Sequence, residues 1–511
     1  MALWHTVKNI GATLVGQTWS SLLGLLTLPV IVRGFGAEGY GLLSLSLSLV
    51  GVASICDLGI GRALSKCLAE DGDAACSDRA NRSFHSALTM TLSLAAVFTV
   101  AFALATPFLV DRVFRVRAGL AGDARLVFFF TVAALPAVLV RILLDGILVG
   151  KQRIAALSAV NAGAATMKVA VGVTTALCHG PIHALVLGYC AISYMHVAAL
   201  AWLCLRGQSP IVTLGIAWDI NLVRQLLRLG SLSTAATGMS YVFLYLDRWI
   251  IAAFLPISVL GYYTIAFDVA CRQWSVANAI SQAFFPVFSQ SAQISREALT
   301  ASYLQASRMM FVATTGMAVI LSCFAQSLLS RWISPEIAAN AGILLKILAI
   351  GIVLACYFNL PTTALLAGSG RPEIIAVQVT LAAVAHLAVS MATIRWLGAM
   401  GVALGFVAGY LVALLGSHVW LLRHALSSNT LANLSTCIFR CWGIAIGVAI
   451  PISYATAGLL SNTIEVLSAM AVAYAAYLAL ATWISYSPAE RLLMRRRAES
   501  LIPLRLAGGQ A

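Results

Sequence analysis

The sequence predicts an all-α integral membrane protein of about fourteen transmembrane helices. Three observations predict it. Of 511 residues, 61% are apolar and only 10% charged, against roughly 25% charged in an ordinary globular domain. A chain so poor in charge cannot cover a water-facing surface. Hydrophobic runs of about twenty residues, the length that crosses a hydrocarbon core of about 30 Å as helix, recur from end to end. No long polar stretch interrupts them, so the chain reads as membrane domain throughout, with no soluble catalytic or nucleotide-binding module. Backbone polar groups in lipid need partners within their own segment, which makes these runs helices.

The first predicted span, 10–32, follows the amino end directly and lacks the short apolar region and cleavage site of a removable signal. The turn Gly36-Ala37-Glu38-Gly39-Tyr40-Gly41 leads into the second, 40–60. Spans three to six are 84–110, 126–149, 154–178 and 183–205, divided by links rich in bases and turn residues. Span seven is 228–254, and span eight, 259–289, is long enough to be tilted, bent or partly outside the membrane. The remaining six are 304–329, 341–367, 374–397, 401–422, 438–459 and 463–485.

An even count places both termini on one side. The tail carries Arg491, Arg495, Arg496, Arg497 and Arg505, which argues for the cytoplasm. Alternate links agree, with Arg62, Lys66, Arg79 and Arg82, then Lys151 and Arg153, then Arg206, Arg224 and Arg228. About twenty Lys and Arg fall on that side against about seven opposite. The link from span three to span four, with Arg112, Arg115, Arg117 and Arg125, is the exception and is placed outside. This asymmetry also accounts for the net charge of +14 without any nucleic-acid partner.

Two echoes point to an internal repeat. Leu144-Asp145-Gly146-Ile147-Leu148-Val149-Gly150-Lys151, at the end of span four, resembles Thr363-Ala364-Leu365-Leu366-Ala367-Gly368-Ser369-Gly370-Arg371 six spans later. The start of span two likewise resembles Val259-Leu260-Gly261-Tyr262-Tyr263 at the start of span eight. The predicted architecture is therefore two six-helix lobes, 1–210 and 211–427, related by a pseudo-twofold along the membrane normal. Two extra helices and a basic tail follow in 428–511. Parallel repeats of this kind hold a substrate between their halves and rock about it.

The stretch Leu28-Pro29-Val30-Ile31-Val32-Arg33-Gly34-Phe35-Gly36-Ala37-Glu38-Gly39-Tyr40-Gly41, followed by Cys56-Asp57-Leu58-Gly59, carries a family pattern. Tyr245-Leu246-Asp247-Arg248-Trp249, Leu260-Gly261-Tyr262-Tyr263 and Phe285-Pro286-Val287-Phe288-Ser289 match it in the second half. With these landmarks the chain resembles the polysaccharide transporter (O-antigen and exopolysaccharide flippase) branch of the multidrug/oligosaccharidyl-lipid/polysaccharide exporter superfamily. The resemblance implies a flippase in the bacterial inner membrane, not an enzyme and without a cofactor. It would carry an undecaprenyl-diphosphate-linked oligosaccharide to the periplasmic leaflet for O-antigen, capsule or exopolysaccharide synthesis. Membrane lipids, a polysaccharide polymerase and a chain-length regulator are the partners it implies. An ion-coupled multidrug or small-solute antiporter of the same superfamily is the alternative, and the excess of intramembrane bases favours the anionic substrate.

Each ionisable group inside the bilayer costs about 2.5–3.5 kcal/mol on insertion scales. Arg141 and Asp145 lie in span four, Lys168 in span five, Asp247 and Arg248 in span seven, Asp268 and Arg272 in span eight. Arg141/Asp145 and Asp268/Arg272 have i, i+4 spacing, which puts each pair on one helix face. Each pair could neutralise itself, or Asp247/Arg248 and Asp268/Arg272 could form one crossed network between neighbouring helices. Lys168, near mid-span and without a partner in sequence, points to an aqueous cavity. Arg141, Lys168, Arg248 and Arg272 are thus expected to form a cationic cavity for a diphosphate or acidic sugars. Asp145, Asp247 and Asp268 are the candidates for ion coupling or a charge network.

Tyr241, Tyr245, Trp249 and Trp274, with Gln273, Asn278 and Gln282, are candidate sugar platforms, Trp249 fitting ordinary packing better. The glycines lack the strand-to-helix setting and Lys-Ser/Thr of a phosphate loop. The eleven cysteines, among them Cys190, Cys204 and Cys356, form no metal or disulfide pattern, and His196 and His386 stand alone. Asp57 reads as a cap at a helix end.

Overall fold

The computed structural model describes residues 2–53, 57–70, 78–114, 116–205, 219–359, 372–424, 428–456 and 458–486, with a few positions in 212–215 and 362–366. Among the described residues there is helix and no strand. The helices are α1 (Ala2–Ala53), α2 (Ile60–Glu70), α3 (Asp78–Phe108), α4 (Ala118–Gly150), α5 (Ile154–Leu177), α6 (Ile182–Leu205), α7 (Ile220–Phe254) and α8 (Ile257–Ala270). They continue with α9 (Gln273–Ile294), α10 (Arg296–Trp332), α11 (Pro335–Leu354), α12 (Pro372–Leu397), α13 (Ala399–His424), α14 (Ser428–Thr456) and α15 (Thr463–Ser485).

Local chemistry sets the ends. Ser295 and Ser334 cap α10 and α11, accepting from the Ala298 and Ile337 amides at 3.1 and 3.2 Å. Asn462 and Glu465 close a reciprocal capping box on α15. Asp57 accepts from the Gly61 amide at 3.4 Å at the start of α2, the capping role its position suggested.

Eleven segments of the described residues are long and apolar enough to span a membrane. The first two predicted spans run together in α1, which kinks at Gly36 (φ 69°, ψ 179°), a backbone shape only glycine adopts cheaply. The seventh predicted span lies in α7, which carries Asp247 and Arg248. The eighth breaks at Cys271-Arg272 into α8 and α9. This break selects the bent form among those its length allowed. The predicted lobe limits fall at 206–211 and 425–427, outside the described residues, as do the tail arginines and the second half of the Gly368 echo.

The packing repeats with the six-span offset. In the first set α1 packs on α5 and on α4, α4 on α6, α3 on α4, and α5 on α6. In the second α7 packs on α12, α11 on α13, α10 on α11, α8 on α11, and α12 on α13. Each early pair has its later counterpart, so the glycine echoes do report a structural repeat. Helices α14 and α15 pack on each other and on α10. There the Tyr477 ring lies over Gly316, and Tyr357, in a π-helical turn after α11, hydrogen-bonds Thr315 at 2.6 Å.

The two lobes meet tightly at one end. Gly41 lies against the Ile257 carbonyl and Gly261 against the Ala37 carbonyl, leaving no room for a Cβ on either. Arg33 donates to the carbonyls of Ile333 and Trp332, both at 2.9 Å, tying α1 to the link between α10 and α11. The basic link after α3 lies at this same end: Arg117 pairs with Glu38 at 3.3 Å and Arg125 with Asp111 at 2.8 Å. Large apolar side chains such as Leu104, Trp396, Phe439 and Tyr454 point outward, as a lipid-facing surface requires.

Candidate functional site: a polar cavity between the lobes

Away from the closed end the lobes separate around a polar cavity. Its largest part, about 760 Å³, is walled by Gly16, Ser20 and Ser21 of α1, Ser158 and Asn161 of α5, and Ser275 and Asn278 of α9. Asn161 also borders a second part of about 450 Å³, which Arg141, Lys168, Ser193, His196, Tyr241 and Tyr245 help to line. Asn278 borders a third of about 210 Å³ with Ser240, Phe243, Trp274 and Tyr410. These three spaces adjoin through the two asparagines. Hydroxyls and amides dominate the first wall, and the cations stand in the second.

Arg141 and Asp145 form the i, i+4 ion pair their spacing predicted, at 2.7 Å. The other Asp145 oxygen is buried without a partner. Lys168, one helix over, has no ion pair among the described residues. Its ammonium stands 5.9 Å from the centre of the Tyr189 ring. Arg141 and Lys168 thus line the same part of the cavity.

Asp247 and Arg248 lie elsewhere. Asp247 is fully buried, accepting from the Tyr263 hydroxyl at 2.6 Å and from the Arg248 guanidinium at 3.3 Å. Arg248 is 5% exposed and donates to Ser44 Oγ at 3.1 Å and to the Leu244 carbonyl at 2.8 Å. Its guanidinium is sandwiched near the Tyr245 and Phe267 rings, 5.2 and 4.9 Å from their centres. Since Ser44 is on α1, the charge holds the lobes together and is not among the cavity-lining residues. Asp268 likewise reaches across, accepting from the Tyr40 hydroxyl at 2.5 Å.

Arg272 does not bridge to the Asp268 carboxylate. At the break between α8 and α9 it donates to the Asp268 carbonyl at 3.1 Å and to the Ser21 carbonyl of α1 at 3.2 Å. Between α7 and α8 the bond from Tyr263 to Asp247 joins the two helices, and Arg272 bonds carbonyls instead of a carboxylate. Arg272 borders an apolar cavity of about 340 Å³ whose other walls include Leu25, Leu26, Met317, Ile320, Leu467 and Tyr474. One cation thus stands between a polar space and an apolar one.

Sequence reasoning missed Tyr40, Ser44, Tyr263, Ser158 and Asn161. Tyr40 and Tyr263 sit inside the two glycine echoes, a signal that was present; serine and asparagine within apolar runs signal little by themselves. Tyr241 and Tyr245 stack at 6.2 Å on the cavity wall, and Trp274 lines it. Trp249 instead packs edge-on against Phe114 at 5.8 Å, as ordinary packing predicts.

The family profile described as "Polysaccharide biosynthesis protein" matches residues 6–292, more than half of the chain. The chain belongs to this family. A Shigella flexneri protein provisionally named an O-antigen transporter is 21% identical over 409 residues, 78% of this chain and 94% of that one. Among solved structures, the lipid II flippase MurJ in an inward closed conformation aligns with a TM-score of 0.77 at 11% identity, over 94% of this chain and 99% of that one. An inward-facing multidrug resistance MATE family transporter of the MOP superfamily aligns at 0.71 and 16% identity, over 81% and 95%. An outward-facing MATE structure gives 0.59 at 16% identity, over 84% and 96%. At such identities the likeness is one of fold. This polysaccharide biosynthesis family member is thus a multi-pass membrane protein whose relatives are transporters and flippases, not enzymes.

Proposed function

We propose that the chain is a flippase moving an undecaprenyl-diphosphate-linked oligosaccharide from the cytoplasmic to the periplasmic leaflet by alternating access. The observation that carries this reading is Arg272, which borders an apolar cavity while bonding to Ser21, a residue of the polar cavity wall. A lipid-linked sugar has the same three parts: an apolar chain, an anionic diphosphate and a hydroxyl-rich head. The prenyl chain would lie along Leu25, Leu26 and Leu467, the diphosphate at Arg272, and the sugars among the serines and asparagines. Arginine and lysine hold phosphate well in such a low-dielectric site. Arg141 and Lys168, deeper in the polar space, would hold acidic sugars. Arg248 and Asp247 then serve the closure of the lobes, with Asp145 tuning Arg141 and Asp268 held by Tyr40.

On this reading the lobes are 1–210 and 211–427, with 428–511 as the extra pair and tail. Both termini face the cytoplasm of the inner membrane, and a polysaccharide polymerase and chain-length regulator take up the product. The test is a deletion strain in which the undecaprenyl-linked intermediate of the cytoplasmic leaflet is quantified before and after re-expression. Accumulation without the protein and clearance with it is expected. Lys168→Ala and Arg272→Ala should fail to clear it while reaching the membrane in parental amount. Full clearance by both variants refutes the cationic site. Unchanged lipid intermediates with altered sensitivity to cationic dyes would favour the antiporter instead.

A further inference from the structure

The C-terminal lobe buries a second set of polar side chains that the cavity does not use. His386 and Gln378 lie eight residues apart on α12, 0% and 4% exposed. Neither ring nitrogen of His386 has a hydrogen-bond partner, and neither do the amide atoms of Gln378 or the hydroxyl of Ser390. Dry, unpaired polar groups are costly to bury. Such groups in a native fold need a reason, commonly a water, an ion or a proton.

The imidazole sits in an aromatic box, with ring centres of Phe243 and Phe406 at 5.2 and 5.9 Å. Asp247 follows Phe243 by one turn of α7, i, i+4, so its carboxylate stands on the helix face that carries Phe243. The other titratable or charged groups around it are Arg248 beside Asp247, Tyr263 on α8 and Tyr410 on α13. The smallest part of the polar cavity reaches this box, since Phe243 and Tyr410 belong to both.

We propose that His386 is a proton-binding site, and that its protonation releases the lobes from each other at the closed end. The proton enters from water in the adjoining cavity and settles on a ring nitrogen; no covalent bond between heavy atoms changes. The resulting imidazolium competes for Asp247, which in the closed form holds Arg248 and Tyr263. Arg248 is the group that reaches Ser44 on α1. Sharing the carboxylate between two cations weakens its hold on Arg248, and with it the bond across the lobe boundary. Because the opened form carries the extra proton, falling pH favours opening. The inference rests on the alternating-access reading but not on the identity of the cargo.

The test uses the full chain in lipid nanodiscs with two nitroxides. One is on the exposed Cys178 at the end of α5, the other on Asn340→Cys in α11. Both lie near the closed end, one on each lobe. Pulsed electron paramagnetic resonance reads the separation from pH 8 to pH 5. The ratio of long to short distances should rise by up to about tenfold per pH unit, the limit for one proton. His386→Gln should hold the pH 8 distribution throughout. No pH response in the parent, or a parental response in His386→Gln, overturns the proposal. If that variant does not insert, nitrogen NMR of the labelled parent decides. One of its eight histidines must titrate in this range while exchanging slowly with water. Fast exchange of every titrating histidine overturns the proposal too. A pH response with no flipping in the deletion strain would sink the cargo assignment and leave this site standing.

Discussion

The hydrogen bond from Tyr40 to Asp268, 2.5 Å long, joins α1 to α8 across the lobe boundary. Tyr40→Phe removes the donor and leaves a carboxylate short of a partner in the interior. Hydrogen bonds to charged groups are worth about 1.5–3 kcal/mol in soluble proteins. Side-chain hydrogen bonds between membrane helices average about 0.6 kcal/mol and reach about 1.7 at most. The two ranges overlap near 1.5 kcal/mol, which corresponds to about a tenfold shift from closed toward open. The nitroxide pair at Cys178 and Asn340→Cys measures that ratio directly at fixed pH. Asp268→Asn keeps an acceptor but loses the charge, so adding Tyr40→Phe there should cost about 0.6 kcal/mol, or about threefold. An unchanged distance distribution in Tyr40→Phe would refute the claim that this bond holds the lobes. A full tenfold effect in the Asp268→Asn background would refute the role of the charge.

Gly261→Ala puts a methyl group against the Ala37 carbonyl, which cannot yield without moving α1. Overpacking of this kind costs about 1–3 kcal/mol, so the same distance measurement should show a larger open fraction, whereas Gly119→Ala, facing open space, should match the parent. Gly316→Ala drives a methyl group into the Tyr477 ring and should loosen α15 from α10. A fall in thermal unfolding temperature in detergent, partly restored by also making Tyr477→Leu, is the expected result, and an unchanged temperature would mean that the ring simply moves aside.

How much of this was legible in the chain depends on the range of the interaction. The helices were, because twenty apolar residues in lipid have no other way to satisfy their backbone. The kink at Gly36 and the caps at Ser295 and Asn462 follow from residues within a turn or two of each helix end. Arg141 and Asp145 could be paired on paper because i, i+4 spacing closes such a contact within one helix. For Asp268 and Arg272 the same spacing closes a different contact, the guanidinium bonding the Asp268 and Ser21 carbonyls instead of the carboxylate. Arg248 reads as a cavity cation from its residue type and its span, and neither says which side of a helix faces a neighbour.

The sequence by itself determined a membrane protein of many helices, its repeat, its family and the stretches where charge enters the bilayer. All of these rest on composition, periodicity or local motif. Only the tertiary structure decided that Lys168 and Arg141 share a cavity and that Arg248 and Asp268 bind the lobes together. It also decided that His386 lies unpaired among aromatic rings. These depend on how each helix is rotated about its axis against partners hundreds of residues away. In a chain apolar on nearly every face, no hydrophobic stripe records that rotation.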